Sequence, residues 1–490
     1  MRSRATDLAW DRERRRIALL FSLCSLHNIY ALRREGEPMT TPLQVRSIPH
    51  IVTELPGPKA RAHVEFDHAW TSPSLPRAYP IVPLRGVGCA IEDIDGNVFL
   101  DFAAGIAVNS TGHSHPEVVA AIRAQAANLI HMSASDFYLP IYAEAAAELA
   151  RISPMSGPAR TFIGNSGAEA VEAGLKLARY HTRRQNLIAF LGAFHGRTMG
   201  AVSLTASKAK YHAHFGPLLP GVYHVPFGNQ GLDELEQRVF KRLMPADEFA
   251  AVIVEPIQGE GGYVVPEDDF LPRLRELCDR HGILLIADEV QSGAGRTGKM
   301  WAVQHWDVEP DILLTAKGIA SGMPIGAMIA RAEVMTWGPG AHGSTYGGNP
   351  VALAALMATV RLLEGGLIAN AGLRGRQIMD GLAPLQDRFP GIVRDVRGKG
   401  LMIGVQFDSG ETAEAVQMQA FGRGLLVLEA GDDCVRMSPP LVVTEAEADT
   451  AVRIFSEAVA HVTAHRGADV RDVERAAEQG LATQGVEAGG

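Results

Sequence analysis

What most constrains this chain is an alternation. From about residue 98, short apolar runs take turns with amphipathic stretches, the pattern of βα units wound around a mostly parallel sheet. "ARTFIGN" (159–165), "NLIAFLG" (186–192), "AAVIVEP" (250–256), "GILLIADE" (282–289) and "DILLTAKG" (311–318) have the length and content of buried strands. The stretch 166–183 reads as a helix, and so does 268–282, which closes on Gly282. Another long helix is expected over 349–366, ended by its glycine pair. Beyond it the texture changes. Residues 391–407 alternate like an antiparallel strand pair, with helices at 411–424 and 444–464. The expected fold class is therefore α/β: a large domain over 98–365 with a mostly parallel central sheet, plus a smaller α+β domain. The latter takes 366–465 and an N-terminal segment at 40–97.

With 490 residues the chain can bury a large core. Its net charge of -9 leaves no basic excess to neutralise phosphates, which argues against a dedicated nucleic-acid binder. Cys24, Cys89, Cys278 and Cys434 are scattered without a C-x-x-C pair. Neither a disulfide framework nor a metal site fits that spacing, and a reducing cytoplasm does. Arg14, Arg15 and Arg16 precede an apolar stretch in the manner of a signal peptide. The stretch breaks at His27 and Asn28, is too short to span a bilayer, and no small-x-small cleavage site follows. Residues 1–39 are expected to be a disordered or mis-called extension, with Met39 as the start, rather than a targeting segment. No other run is expected to be long or apolar enough to cross a membrane. The tail at 466–490 is expected to fray.

In open α/β sheets, ligands sit outside the carboxyl ends of the strands. The run at 159–165 leads into Ser166, Gly167 and Ala168, and that at 186–192 into Phe194, His195 and Arg197. The run at 250–256 ends at Glu255, followed by a glycine-rich turn with Glu260. The run at 282–289 ends in Asp288, with Gln291 just beyond, and that at 311–317 ends at Lys317. Taken singly, each is ordinary. A Ser-Gly at a helix start is usually a cap, and strand-end carboxylates and lysines are usually solvated or paired. Together, a phosphate cradle, an aromatic face, a buried carboxylate and a lysine match one cofactor, pyridoxal 5′-phosphate. Gly167 and Ala168 would hold its phosphate, Phe194 would lie against the ring, and Gln291 would reach the ring hydroxyl. Asp288 would pair with the pyridinium nitrogen. Lys317 would attack the cofactor aldehyde, its pKa lowered by desolvation, and then shuttle the substrate proton as general acid–base.

Several long motifs carry a resemblance as well. "DGNVFLDFAAGIAVNSTGHSHP" (95–116), "FIGNSGAEAVEAGLKLAR" (162–179), "AFHGRT" (193–198), "VEPIQGEGG" (254–262), "HGSTYGGNP" (342–350) and the whole of 284–327 are similar to the class III pyridoxal-phosphate aminotransferases. The resemblance runs over about 50–465 and is closest in pattern to the 4-aminobutyrate aminotransferases. It implies a fold-type I transferase working as a homodimer, with Ser344 and Thr345 reaching the phosphate of the partner's cofactor. The cofactor-binding set it implies is Ser166, Gly167, Ala168, Phe194, His195, Glu255, Asp288, Gln291, Lys317 and Thr345. It also implies that Arg197 holds the carboxylate of an ω-amino acid. Glu260 and Arg436 match the family's switching pair: Glu260 neutralises Arg436 with 4-aminobutyrate bound and frees it for the α-carboxylate of glutamate or 2-oxoglutarate. Two departures stand out. Phe194 replaces the tyrosine of many 4-aminobutyrate enzymes, and "RMSPPLVV" replaces the familiar apolar stretch around Arg436. The expected reaction is transamination of an ω-amino acid, 4-aminobutyrate preferred, with 2-oxoglutarate, giving succinate semialdehyde and glutamate. Ornithine and acetylornithine aminotransferases and amino-acid racemases share most of these motifs. A catalytically silent relative is disfavoured because Lys317 and Asp288 are both retained.

Overall fold

The computed structural model describes residues 47–465. The expectations for 1–39 and 466–490 lie outside these residues. Helix α1 (Pro58–Trp70) precedes an antiparallel meander of β1 (Pro83–Val87), β2 (Ala90–Asp93) and β3 (Val98–Asp101). The expected division at 97/98 falls immediately before β3, which is paired along β2. Helices α2 (Pro116–Asn128) and α3 (Pro140–Arg151) follow, each with proline in its first turn, where the missing N–H costs nothing.

The central sheet is built from β4 (Ala159–Gly164), β5 (Asn186–Phe190), β6 (Val222–Val225), β7 (Phe249–Val254), β8 (Leu284–Asp288), β9 (Ile312–Thr315) and β10 (Gly326–Arg331). Their order is β4-β10-β9-β8-β7-β5-β6, and β10 alone runs against its two neighbours. Every residue of β5 and β7 is buried, as continuous apolar strands covered on both faces must be. All five expected strands are present. The sequence reading passes over β6 and β10; β10, "GAMIAR", is half small residues and gives a weak apolar signal. Helix α4 (Gly167–Thr182) lies on the sheet through Ala170, Ala173, Gly174 and Leu177. A side chain at 174 would sit 3.1 Å from Leu314 Cδ2, so this glycine lets helix and strand approach. Helix α5 (Phe270–His281) ends at Gly282 in the left-handed conformation, as expected.

The helix expected over 349–366 does not end at its glycines. It begins at Asn349, whose side chain accepts from the amides of Val351 and Ala352, and α6 runs Pro350–Leu362. A wide π-type turn at Leu363–Leu367 absorbs Gly366 (φ 136) as a kink, and α7 (Ile368–Leu382) resumes beyond it. The span Pro350–Arg388 is then long and apolar enough, by length and composition, to cross a membrane, which corrects the expectation that no such run exists. Half of its most apolar window is buried inside the protein, and its apolarity is spent on the core, where Leu353, Leu356 and Val360 pack beneath the sheet.

A third sheet, order β11-β12-β15-β14, follows. Strands β11 (Val393–Lys399) and β12 (Met402–Phe407) are the expected antiparallel pair. After α8 (Gly410–Gly422), the short β13 (Leu425–Leu426) pairs parallel with β3, joining the N-terminal meander to the C-terminal region. Strands β14 (Leu428–Ala430) and β15 (Cys434–Met437) complete the third sheet. Helix α9 (Glu445–His465) packs on α7 and α8 through Ala451, Ile454, Phe455 and Ala458.

Candidate active site

The carboxyl ends of β4, β5, β7, β8 and β9 open into one cavity of about 410 Å³. It is lined by Ser166, Gly167, Ala168, Phe194, His195, Arg197, Glu255, Asp288, Gln291 and Lys317. Ten residues from five separate stretches thus meet on one wall, as the strand-end reading requires.

At the first turn of α4, Ser166 is the N-cap, and its hydroxyl accepts from the Glu169 amide at 3.2 Å. The amides of Gly167 and Ala168 sit where a helix has no internal acceptor to offer, so they are available to an anion. A side chain at 167 would approach Val290 Cγ1 to 2.9 Å, so the backbone itself forms this wall.

Asp288 is 4% exposed at the end of β8. Its Oδ1 accepts from the Val290 amide at 3.1 Å, and its Oδ2 lies 2.7 Å from Nδ1 of the fully buried His195 ring. His195 thus lines the cavity and also holds Asp288, and its Nε2 has no hydrogen-bond partner among the described residues. Glu255 is spent on the scaffold. Its Oε1 accepts from the Phe194 amide (2.8 Å) and its Oε2 from the Gly259 amide (2.9 Å), tying the loops after β5 and β7 together. Burial pushes its carboxyl up to about 7; nearby His195 opposes the rise and Asp288 adds to it. Gln291 accepts from Tyr263 Oη at 2.9 Å through Oε1, leaving its amide nitrogen as the free donor.

Lys317 differs from its expectation in one respect. Strand β9 stops at Thr315, and Lys317 opens a 3₁₀ turn (Lys317–Ala320) with φ 45. A long side chain in the left-handed region is held there by its surroundings at a cost. Gly318 beside it is pressed against the Ser110 hydroxyl, with no room for a side chain. Burial lowers the pKa of the Lys317 amine, opposed by the carboxylates of Asp288 and Glu255.

Outside the cavity lining stand Glu260 and Arg436. Arg436 is buried on β15 and donates through Nη1 to Glu260 Oε2 at 2.9 Å. The backbone carbonyl of Glu260 is fixed by the Gly431 amide at 2.6 Å. Arg197 lies 3.8 Å over the ring of Tyr211 and 5.5 Å from that of Phe194, with no ion pair among the described residues. Thr345 is exposed on its loop and is not among the residues that line this cavity. Ser344 receives a hydrogen bond from the cavity residue Asn165 (3.1 Å) and has its carbonyl bonded to Ser135.

A family profile described as Aminotransferase class-III matches residues 74–459. The chain belongs to the class-III aminotransferases. The acetylornithine aminotransferase of Methanopyrus kandleri is 45% identical to this class-III aminotransferase over 383 residues, covering 78% of this chain and 95% of that one. The alanine/serine racemase of Pyrococcus horikoshii is 37% identical over 451 residues (86% and 95%). The 4-aminobutyrate aminotransferase of Mycobacterium leprae is 40% identical over 425 residues (81% and 94%). Among solved structures, an amine transaminase from an uncultivated Pseudomonas species, with pyridoxal phosphate bound, superposes with a TM-score of 0.74 at 33% identity, covering 80% of this chain and 98% of that one. Pyridoxal phosphate is accordingly the cofactor of this aminotransferase. The cavity suits it: helix amides for a phosphate, a buried carboxylate, an aromatic face and a desolvated amine converge there.

The sequence reading misses Asn165, Val290 and the turn Gly322–Ile325, all of which line the cavity, and the neighbouring Tyr211 and Tyr263. Tyr263 directly follows the "QGEGG" turn and was within reach of that motif. Tyr211 lies in "SKAKYHAHF", which carries no motif signal.

Proposed function

We propose that this aminotransferase takes its amino group from an ω-amino acid, 4-aminobutyrate preferred, and passes it to 2-oxoglutarate. The observation that carries this reading is the unequal state of two arginines. Arg436 is already neutralised by Glu260, whereas Arg197, beside Phe194 in the cavity lining, has no carboxylate partner among the described residues. A donor with a carboxylate at one end and its amine at the other would place the carboxylate on Arg197, where a planar guanidinium suits bidentate contact. The amine-bearing carbon then reaches Lys317 without a second charge to satisfy. 4-Aminobutyrate meets those terms.

Bound pyridoxal phosphate supplies an electron sink for negative charge developing on the carbon that bears the amine. The rest is the work of side chains. Lys317 would hold the cofactor through Nζ and would move the proton on and off that carbon. Asp288, held by His195, would keep the ring nitrogen protonated. Phe194 would cover the ring face, Gln291 would donate to the ring hydroxyl, and Ser166, Gly167 and Ala168 would hold the phosphate. Glu255 fixes the loop that carries Phe194. Thr345, with Ser344 at its base, serves the partner's site in a homodimer. This assembly is supported by exposed apolar side chains on the loops beside Thr345. Ile130, Phe137, Tyr138 and Tyr346 are all more than half exposed, and the His131 ring lies tilted against Tyr346 with centroids 5.1 Å apart.

The racemase relative gives a second reading, in which an α-amino acid is protonated on either face and transfer is not completed. A donor panel with 2-oxoglutarate as acceptor separates the two. 4-Aminobutyrate, ornithine, acetylornithine, lysine and both enantiomers of alanine and serine are offered to the holoenzyme. Glutamate formation fastest from 4-aminobutyrate is expected. Interconversion of alanine or serine enantiomers without glutamate formation would replace this proposal with the racemase.

A further inference from the structure

Tyr211 touches both carboxylate-handling parts of the site, and the reaction as described above does not use it. Its ring supports the Arg197 guanidinium at 3.8 Å and meets Phe194 edge-on at 5.7 Å. Its hydroxyl lies 3.4 Å from Glu260 Oε1, while the other oxygen of Glu260 holds Arg436 at 2.9 Å. A hydroxyl–carboxylate bond prefers about 2.7 Å, so at 3.4 Å Tyr211 already donates to Glu260 through a long bond that has room to tighten. The Glu260 backbone is pinned by Gly431, so its carboxylate can change partner only by side-chain rotation.

An α-carboxylate that claims Arg436 leaves Glu260 without its cation in a largely buried place, and an unpaired buried carboxylate is costly. We propose that Tyr211 is a positioning residue that receives Glu260 when Arg436 is taken, and so sets how readily the site accepts an α-carboxylate. This rests on the reading of Glu260 and Arg436 as a carboxylate switch. Burial, reinforced by Glu260, raises the pKa of the Tyr211 phenol, so it stays a donor at neutral pH. The same side chain would thus steady the distal arginine with its ring and the released glutamate with its hydroxyl.

The test uses holoenzyme and two unreactive acids: glutarate, which needs both arginines, and butyrate, which needs only Arg197. Tyr211→Phe keeps the ring under Arg197, and its thermal midpoint is recorded to establish that the fold is intact. Calorimetry should show glutarate bound about tenfold more weakly by this variant, the scale of one hydrogen bond to a charged group. Butyrate affinity should change much less. The glutamate half-reaction should show the loss in KM and not in kcat. In a Glu260→Ala background, Tyr211→Phe should no longer alter glutarate binding. If Tyr211→Phe weakens both acids equally or neither, while Glu260→Ala still separates them, the role for Tyr211 is overturned and the switch stands. If Glu260→Ala itself fails to separate them, the switch falls and the role for Tyr211 falls with it.

Discussion

At the residue scale, a few side chains are held in states that cost stability. Lys317 combines a left-handed backbone with a desolvated amine. Lys317→Ala should fold and still bind pyridoxal phosphate, but without a covalent bond. Turnover should fall by at least about 10²–10⁴-fold, the range for loss of a general acid–base. Borohydride reduction followed by intact-protein mass measurement checks this; cofactor retained on another lysine together with surviving activity would remove Lys317 from its role. Glu289, next to Asp288, is the second case. Its carboxylate is buried, accepting from Ser292 Oγ (2.6 Å) and the Val303 amide (2.8 Å), and burial pushes it up to about 7. A carboxyl raised in the native state favours folding while protonated. That contribution is complete below about 4.5, the ordinary glutamate value, and is lost as pH rises through about 7. Relative to Glu289→Gln, the wild-type holoenzyme should therefore lose about 3 kcal/mol between pH 4.5 and 8. Denaturant midpoints of both proteins across that range test it, and parallel profiles would show that Glu289 does not titrate there. The strand-end residues that line the cavity were legible because each sits at the end of its own apolar run or within the turn that follows. Tyr211 and Tyr263 were not, because their importance comes from neighbours distant in sequence: Arg197 and Glu260 for one, Gln291 for the other.

At the scale of elements, the parallel strands and the helices after them announced themselves through long apolar runs with clean stops. Strand β10 did not. It lies antiparallel between β9 and β4 and contributes Gly326, Ala327 and Ala330, so its burial reflects its place in the sheet more than its own composition. The α6–α7 junction misled the reading for a different reason. A glycine pair after a helical run usually stops it, but Gly365 and Gly366 are accommodated in a wide turn and only Gly366 has positive φ. The two glycines are therefore not equivalent, although nothing lies within 4 Å of a side chain added at either. Gly366→Ala should destabilise the protein by roughly 1–3 kcal/mol through backbone strain. Gly365→Ala should be neutral or slightly stabilising, since it restricts only the unfolded chain. Urea midpoints of the two variants decide the matter; equal effects would mean that the kink does not hold Gly366 in the left-handed half of the map.

For the whole molecule, the loop with Ser344 and Thr345 and the loop around Ile130 to Tyr138 are bonded into one surface: Ser135 donates to the Ser344 carbonyl and Asn349 to that of Ile130. With a homodimer proposed there, Ile130→Asp should yield monomers by light scattering and lose most activity, because each site would lack the partner's Thr345. A variant that stays dimeric and fully active would place the interface elsewhere. The pairing of β3 with β13 bears on how such a chain comes to be made. Leu100 donates to the Gly424 carbonyl at 2.8 Å, Phe102 to that of Leu426 at 2.9 Å, and the Val427 amide to Tyr79 Oη at 3.2 Å. On the ribosome, the meander β1–β3 emerges early, yet its remaining edge must wait for nearly the whole chain to be translated. During that interval an unpaired strand edge is open to any passing strand, the circumstance in which nascent chains aggregate. The first sheet to be synthesised thus closes only after the whole central sheet has been made, and its open edge is the one that needs protection longest.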